Sequence, residues 1–494
     1  MTPCVLSNVH NTSLSQCTGW GNGVGAHWGK YGVSVQHPAM RLKNGKRIEE
    51  KERALVKQQV KSKAVEQDSE FSLCAVPESE RKSYISLTIV WTGFIFAIIS
   101  LMAGGTLALG LSFREILIAS FVGNIFLCAI AVAVSVIASR TGLTFALLTR
   151  YSFGSSGSRI ASLFVPVVNV GWYTIQSASY GHFVASIFGF GDVGEAICMV
   201  ASAALMGIFA FYGVKAIAIL GYVAIPAIIF LTVATTIRSV GVMGSLEALM
   251  AYRPSAPISL AAGITVVIGA WILSTATCLA DIMRYAKSTK SAVAAALTGL
   301  LGGNILMLIC GAIATIAMDE YDLTAILLGF GLVVPSLILM TTNIFTTNAA
   351  NLYSTGLNLA NSFKIGRTKM MLILIGISSV ATLLKPHEAD FYYTFLNALG
   401  NVIPPLAGII LADYFIVNKG RYLALEKSKF IRWNPVPWIS WLVSVIIVFA
   451  LVSLLPAVVA NIPAPFIGIV LGAVFHTVLM KVTGIRVNLK ETEG

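Results

Sequence analysis

Charge is what this chain has least of. Asp, Glu, Lys and Arg make up 11% of its 494 residues, where soluble domains carry about 25%. With 56% hydrophobic residues and a mean hydropathy of +0.81, that scarcity excludes an ordinary soluble globule. It points to a polytopic membrane protein, and long apolar runs agree. Cysteine is sparse and scattered: Cys4, Cys17, Cys74, Cys128, Cys198, Cys278 and Cys310 form no CxxC, so neither a disulfide framework nor a zinc site is indicated. Four of them, Cys128, Cys198, Cys278 and Cys310, fall in apolar runs, where a thiol behaves as a small hydrophobe. A P-loop, an HExxH, a GxSxG and any sequence cluster of metal ligands are also missing. Their absence argues against an ATP-driven pump and against a membrane enzyme.

Residues 1–39 contain no Asp or Glu and lack the continuous apolar core of a signal peptide. Met40 opens a charged run, Arg41 to Glu70, and reads as an alternative start of translation. The expected division is a largely disordered cytoplasmic tail over 1–77, a membrane domain over 78–484 and a cytoplasmic tail over 485–494. The membrane domain holds twelve apolar segments, near 87–110, 116–138, 160–188, 194–213, 216–236, 259–281, 291–318, 325–357, 370–384, 391–416, 437–456 and 462–481. The eighth is long enough to tilt or break. With the N-terminus inside, all of the 34 lysines and arginines except Arg114, Arg238, Arg253 and Lys385 fall on the cytoplasmic side, the distribution that sets orientation in a bilayer. The net charge of +12 is therefore topology, and no nucleic-acid partner is expected.

Segments one and six both carry small or polar residues in mid-membrane: Gly93 and Gly104-Gly105 in one, Gly269-Ala270-Trp271 and Ser274–Thr277 in the other. Paired interruptions in corresponding segments point to a binding site at the interface of two repeats. A repeat of five helices must invert, because its second copy starts from the opposite side. Segments eleven and twelve are then an appendix.

Residues 342–351 place three asparagines and three threonines inside an uncharged segment. Lipid cannot satisfy such groups, so they face protein or a watery cavity. Asn343, Thr346 and Thr347 stand at i, i+3 and i+4, one face of a helix. Two readings stand: a carbonyl and two hydroxyls gathered as neutral ligands for a hard cation such as Na+, or hydrogen bonds between helices. In segment three Asn169, Trp172, Tyr173 and Gln176 share a face, and an indole beside an amide suits a flat heterocycle. Trp271 follows Gly269-Ala270 and could close a sandwich with Trp172, the other reading being a belt of interfacial tryptophans. Asp281 with Arg284, and Asp413, lie at cytoplasmic segment ends and read as solvated. His182 reads as a structural histidine. No carboxylate stands in mid-membrane, which favours Na+ over a proton as coupling ion.

The stretches LTIVWTGFIFAIISLMAGGTLALGLSF (Leu87–Phe113), RTGLTF…RYSFG (Arg140–Gly154), NVGWY, GAW…ADIMRY and NIFTTNAANLYSTGL resemble the nucleobase:cation symporter family that includes cytosine permeases. The resemblance spans roughly residues 78–425. It implies an all-α membrane protein of twelve transmembrane helices, a five-plus-five inverted repeat (LeuT-type) with two extra C-terminal helices. Trp172 and Trp271 match the family's stacking aromatics, and Asn169 stands where cytosine permeases show glutamine. Asn343 and Asn348 match asparagines near the substrate. The cation site is implied to comprise the carbonyls of Gly93, Phe96 and Asn343 with the hydroxyls of Thr346 and Thr347. Ala270 and Leu273 replace the small hydroxyl residues of cytosine permeases, which bears on which heterocycle is bound.

The expected substrate set is thus Asn169, Trp172, Gln176, Gly269, Ala270, Trp271, Asn343 and Asn348. The expected activity is inward symport of a nucleobase-like solute with Na+ across the inner (plasma) membrane, with both termini cytoplasmic and no cofactor. Proton-coupled symport on the same fold and a non-translocating nucleobase sensor are the alternatives.

Overall fold

Backbone amides inside hydrocarbon have only one another to bond with, so apolar segments close into helices. The computed structural model describes residue 71 and residues 74–211, 214–363 and 367–490. The helices are α1 (Tyr84–Ile95), α2 (Ile98–Gly110), α3 (Phe113–Thr141), α4 (Phe145–Ala161), α5 (Phe164–Phe188), α6 (Asp192–Phe211), α7 (Val214–Met243), α8 (Leu246–Ala251), α9 (Leu260–Ala276), α10 (Cys278–Met283), α11 (Thr289–Leu297), α12 (Ile305–Met318), α13 (Leu323–Gly329), α14 (Val333–Phe363), α15 (Arg367–Ala381), α16 (Ala389–Ala412), α17 (Val436–Leu454), α18 (Pro456–Val459) and α19 (Ala464–Thr483). A seven-residue π-helical stretch, Thr298–Asn304, joins α11 to α12. Strands β1 (Ser428–Phe430) and β2 (Asn488–Lys490) pair antiparallel.

Every one of the twelve apolar segments contains a helix. Among the described residues, six helical stretches are long and apolar enough on their own to cross a membrane, and the bent pair α1–α2 makes a seventh. The helices that carry most of the polar candidates, α5 and α14, are not in that group.

Among the described residues, segments one, six and eight are interrupted away from their ends. Segment one breaks at Phe96-Ala97, with α1 and α2 bent by 50°. Segment six breaks at Thr277 (φ −127°, ψ −71°), at the far end of its polar patch and not at Gly269-Ala270. Segment eight divides between α13 and α14, where Gly331 takes φ +68°, a conformation that only glycine adopts without strain.

Helix α4 was not among the expected segments, because its serines, glycines and two arginines dilute the apolar signal. It kinks at Gly154 (φ +80°), and the gap admits the chain that follows β1. Ser155 and Ser156 N–H donate to the Ile431 and Arg432 carbonyls at 2.9 and 2.8 Å, and Asn434 N–H donates back to Phe153 O at 3.1 Å. The end of the expected N-terminal tail is likewise docked: Val76 is buried and its N–H donates to Gly142 O at 2.9 Å. The rest of that tail, residues 1–70 with 72 and 73, lies outside the described residues. Strand β2 falls within 485–494, which the sequence assigns to a tail.

Glycine sets how closely the helices approach, as is usual where lipid gives no hydrophobic drive to association. A Cβ on Gly104 of α2 would lie 2.0 Å from Leu308 O, and one on Gly311 of α12 would lie 2.1 Å from Leu101 O. On the α9–α16 contact, a Cβ on Gly269 would lie 1.9 Å from Leu396 O.

Candidate substrate and cation site

The break in segment one needs a partner for its freed backbone groups, and Asn343 of α14 supplies it. Its Nδ2 donates to Phe96 O at 3.0 Å and its Oδ1 accepts from Ile98 N–H at 3.2 Å. One buried amide thus clasps both sides of the gap. Ala97 N–H turns to Ile95 O at 2.7 Å. With Ile98 N–H engaged by Asn343, the Gly93 and Phe94 carbonyls receive no amide from the residue four positions on. On α14, Thr347 Oγ1 donates to Asn343 O at 2.9 Å and Thr346 Oγ1 to Thr342 O at 2.5 Å. Each hydroxyl spends its proton on the preceding turn and keeps its lone pairs. Of the expected cation ligands, Phe96 and Asn343 are therefore in direct contact, and Thr347 is bonded to Asn343.

The expected substrate residues of α5 also meet α14. Asn348 Nδ2 donates to Tyr173 O at 3.1 Å and to Ser177 Oγ at 3.0 Å, one turn of α5. Gln176, in that same turn, donates from Nε2 to Trp172 O at 3.3 Å. Gln176 Oε1 and Asn348 Oδ1 are both buried without a hydrogen-bond partner, and Asn169 is buried with no side-chain hydrogen bond among the described residues. Buried polar atoms are usually paired, so unmatched amide groups on two facing helices are acceptors suited to donors of a polar ligand. Trp172 lies edge-on to Phe395 (5.0 Å) and Tyr392 (6.3 Å) of α16.

Trp271 has a different neighbourhood. Its indole N–H donates to Ser100 Oγ at 2.9 Å. Ser100 donates to Asn304 Oδ1, and Asn304 Nδ2 donates to Asn124 Oδ1, at 3.0 and 2.9 Å. This buried polar chain ties α9 to α2, the π-helical stretch and α3. The polar edge of Trp271 is thus occupied and its ring, with Phe94 edge-on at 5.7 Å, is what remains for a ligand. No ring contact joins Trp172 and Trp271 among the described residues. Ala270 is buried, and Gly269 serves the close approach of α16.

The family of permeases for cytosine/purines, uracil, thiamine and allantoin matches residues 75–480. The chain belongs to this family. It is 34% identical over 374 residues to the cytosine permease of Escherichia coli strain K12, covering 76% of this chain and 87% of that protein. It is 24% identical over 441 residues to the allantoin permease of Bacillus subtilis strain 168, covering 80% and 89%. Among solved structures it is similar to the inward-facing conformation of Mhp1, with a TM-score of 0.70, 21% identity and coverage of 83% of this chain and 93% of that one. It is also similar to Mhp1 in a closed conformation with bromovinylhydantoin bound, with a TM-score of 0.67 at 21% identity, over 84% and 95%. The protein is a multi-pass membrane transporter with an Mhp1-like, LeuT-like helical fold, and not an enzyme.

Two clusters of ionisable groups in this permease escaped the sequence reading. Asp413, expected to be solvated, has a side chain 1% exposed. It accepts from Tyr422 Oη at 2.7 Å and faces His476 Nε2 of α19 at 3.1 Å. His182 is far from isolated: Glu195 Oε1 lies 2.7 Å from its Nδ1 and Asp322 Oδ2 lies 2.9 Å from its Nε2. Lys385 Nζ donates to Glu195 Oε2 at 3.0 Å, and that bond holds the ammonium above the usual lysine value. Burial works to raise the Asp322 carboxyl, but His182 and the N–H groups of Thr324 and Ala325 outweigh it and hold the group below the usual range. These residues span more than 190 positions, and no local spacing announces them.

Proposed function

We propose that the permease imports a planar nucleobase-like solute, cytosine or a related pyrimidine or purine, by symport with Na+. The frame of this reading is twelve transmembrane helices in two inverted five-helix repeats with two helices appended, in the inner (plasma) membrane, with both termini cytoplasmic. The observation that carries it is the Asn343 clasp, because it joins the broken helix one to the α14 face that offers Thr346 and Thr347. The relatives named for cytosine and allantoin transport support the solute class, and the unmatched amide groups of Gln176 and Asn348 suit its N–H donors.

In this mechanism the protein offers Na+ the carbonyls of Gly93, Phe96 and Asn343 and the two threonine hydroxyls. None of these titrates near neutral pH, so selection is by geometry and dipoles. Ion binding orders α1 and α2 against α14, and the solute then meets Asn169, Trp172, Gln176 and Asn348 beside the ring of Trp271. Each ligand favours the state the other favours, so their affinities are reciprocally coupled.

In proteoliposomes, uptake of labelled cytosine should follow an imposed Na+ gradient and persist when a protonophore collapses the proton gradient. Uptake indifferent to Na+ and abolished by the protonophore would replace this reading with proton symport. Absence of counterflow would replace it with a sensor. Thr347→Ala, and Thr346→Ala with it, should raise the Na+ concentration for half-maximal uptake. Solute affinity should fall at limiting Na+ and recover at saturation. An unchanged Na+ dependence in both variants removes the hydroxyls from the site.

Trp172→Ala should weaken solute binding by about 1–3 kcal/mol, the scale of base–aromatic stacking, and Trp172→Phe should retain more. Calorimetric titration of the purified permease reads this directly. Wild-type affinity in the alanine variant places the ring elsewhere.

A further inference from the structure

We propose that His182, Glu195 and His387 form a binding site for one divalent transition-metal ion of the Zn2+ type, separate from the substrate and Na+ positions. The three residues come from α5, α6 and the link between α15 and α16. Each offers one ligand atom, and the three atoms lie within 4.8 Å of one another. Glu195 Oε1 stands 2.7 Å from His182 Nδ1 and 3.9 Å from His387 Nε2. Tetrahedral zinc with bonds near 2.0–2.1 Å separates its ligands by about 3.3 Å. The shortest pair, at 2.7 Å, must open by about 0.6 Å, and a pair at the 4.8 Å limit must close by about 1.5 Å, changes that side-chain rotation can supply. An ion between them takes the place of the proton shared by His182 and Glu195.

The surroundings are those of a metal site. A ligating histidine almost always gives its other ring nitrogen to a carboxylate, which fixes its tautomer, and His182 Nε2 already has Asp322 Oδ2 at 2.9 Å. Lys385 occupies Glu195 Oε2 and leaves Oε1 facing the imidazoles. His387 is 9% exposed, and its Nε2 is the ring atom turned toward Glu195 Oε1. A cavity of about 20 Å³, lined by both imidazoles, His182 and His387, and by Asp322 but not by Glu195, lies beside the cluster and has room for one water. Two imidazoles and one carboxylate suit Zn2+, Co2+, Ni2+ or Cu2+, whereas Mg2+ and Ca2+ prefer all-oxygen sets. Because the ligands arise from three separate stretches, an ion here would pin α5, α6 and the α15–α16 link together.

The test is equilibrium dialysis of ZnCl2 against the full-length permease in detergent, without solute, with wild type and variants in parallel. His10, His27, His37, Cys4 and Cys17 of the N-terminal region can also take up zinc, so the readout is the difference between proteins. Wild type should bind one more Zn2+ than His387→Ala. Glu195→Gln should weaken that ion at least tenfold, and Asp322→Asn, which leaves all three ligands in place, about 10–100-fold. Co2+ should give wild type, and not His387→Ala, the visible absorption of a four-coordinate site. A hundredfold excess of Mg2+ or Ca2+ should not displace the zinc. Equal stoichiometry and affinity in wild type, Asp322→Asn and His387→Ala would overturn the proposal. So would displacement by Mg2+. Na+-driven uptake is a separate measurement and can succeed or fail independently of either result.

Discussion

Asn343→Ala should leave the permease inserted in the membrane but reduce Na+-stimulated uptake at least tenfold. The amide of Asn343 serves two backbone groups that the break in segment one has taken out of helical pairing, Phe96 O and Ile98 N–H. Alanine leaves both buried and unmatched, and each such group costs about 1–3 kcal/mol. The chain can relieve that cost by rewinding or shifting the 96–98 turn, and either response withdraws the Gly93 and Phe96 carbonyls from α14. Asn343→Asp keeps an acceptor for Ile98 N–H and loses the donor for Phe96 O, so it should fall between wild type and alanine. Uptake against Na+ concentration, paired with circular dichroism to show retained helix, is the measurement. Wild-type uptake in Asn343→Ala would mean that the break supports itself and that α14 does not hold it.

Gly311→Ala should destabilise the permease more than any alanine placed on a lipid-facing glycine. The new Cβ would lie 2.1 Å from Leu101 O and 2.8 Å from Leu101 Cα, and backbone atoms cannot rotate away as a side chain can. Overpacking of this kind costs about 1–3 kcal/mol and occasionally more. Here it also pushes α2, which begins at Ile98, away from α12. Gly104→Ala, facing Leu308 O at 2.0 Å, should behave alike. Gly376→Ala is the control: nothing lies within 4 Å of its Cβ position, and alanine favours a helix by up to about 1 kcal/mol over glycine. Thermal melting of detergent-solubilised protein should rank Gly376→Ala with or above wild type and the other two well below. Coincident melting curves would mean that α2 and α12 tolerate a wider separation.

Where sequence and structure agree, the physics is local. Apolar length announces a helix whatever it packs against, so the twelve segments were legible. The polar face of 342–351 was legible because helical spacing fixes which side chains align. What Asn343 grips was not, because Phe96 and Ile98 lie some 245 positions away. Gly93 marked the neighbourhood of the first break but not its residues, and of the two stretches marked in segment six it is the polar patch Ser274–Thr277, at Thr277, that holds the break. A glycine in a membrane helix signals either a weak turn or a close neighbour, and Gly269 is the latter. Asp413 looked solvated because its loop is charged, while its partner His476 comes from a helix that sequence reading treated as an appendix. The His182 cluster was hidden for the same reason: its members share no helix face and meet only when four chain segments converge.

The pairing of β1 with β2 has a consequence for synthesis. Ser428 and Asn488, which touch through their side chains, are 60 positions apart, and α17 to α19 lie between them. At about 5–20 residues per second, some 3–12 s separate the moment β1 leaves the ribosome from the moment its partner exists. During that interval the chain after β1 can already bond to the kinked α4 through Ile431 and Arg432, while β1 itself has an open edge. Translation therefore sets one limit on the order of assembly: the two strands can pair only after α17 to α19 have been synthesised, while the contact of the loop with α4 is open to the chain before that.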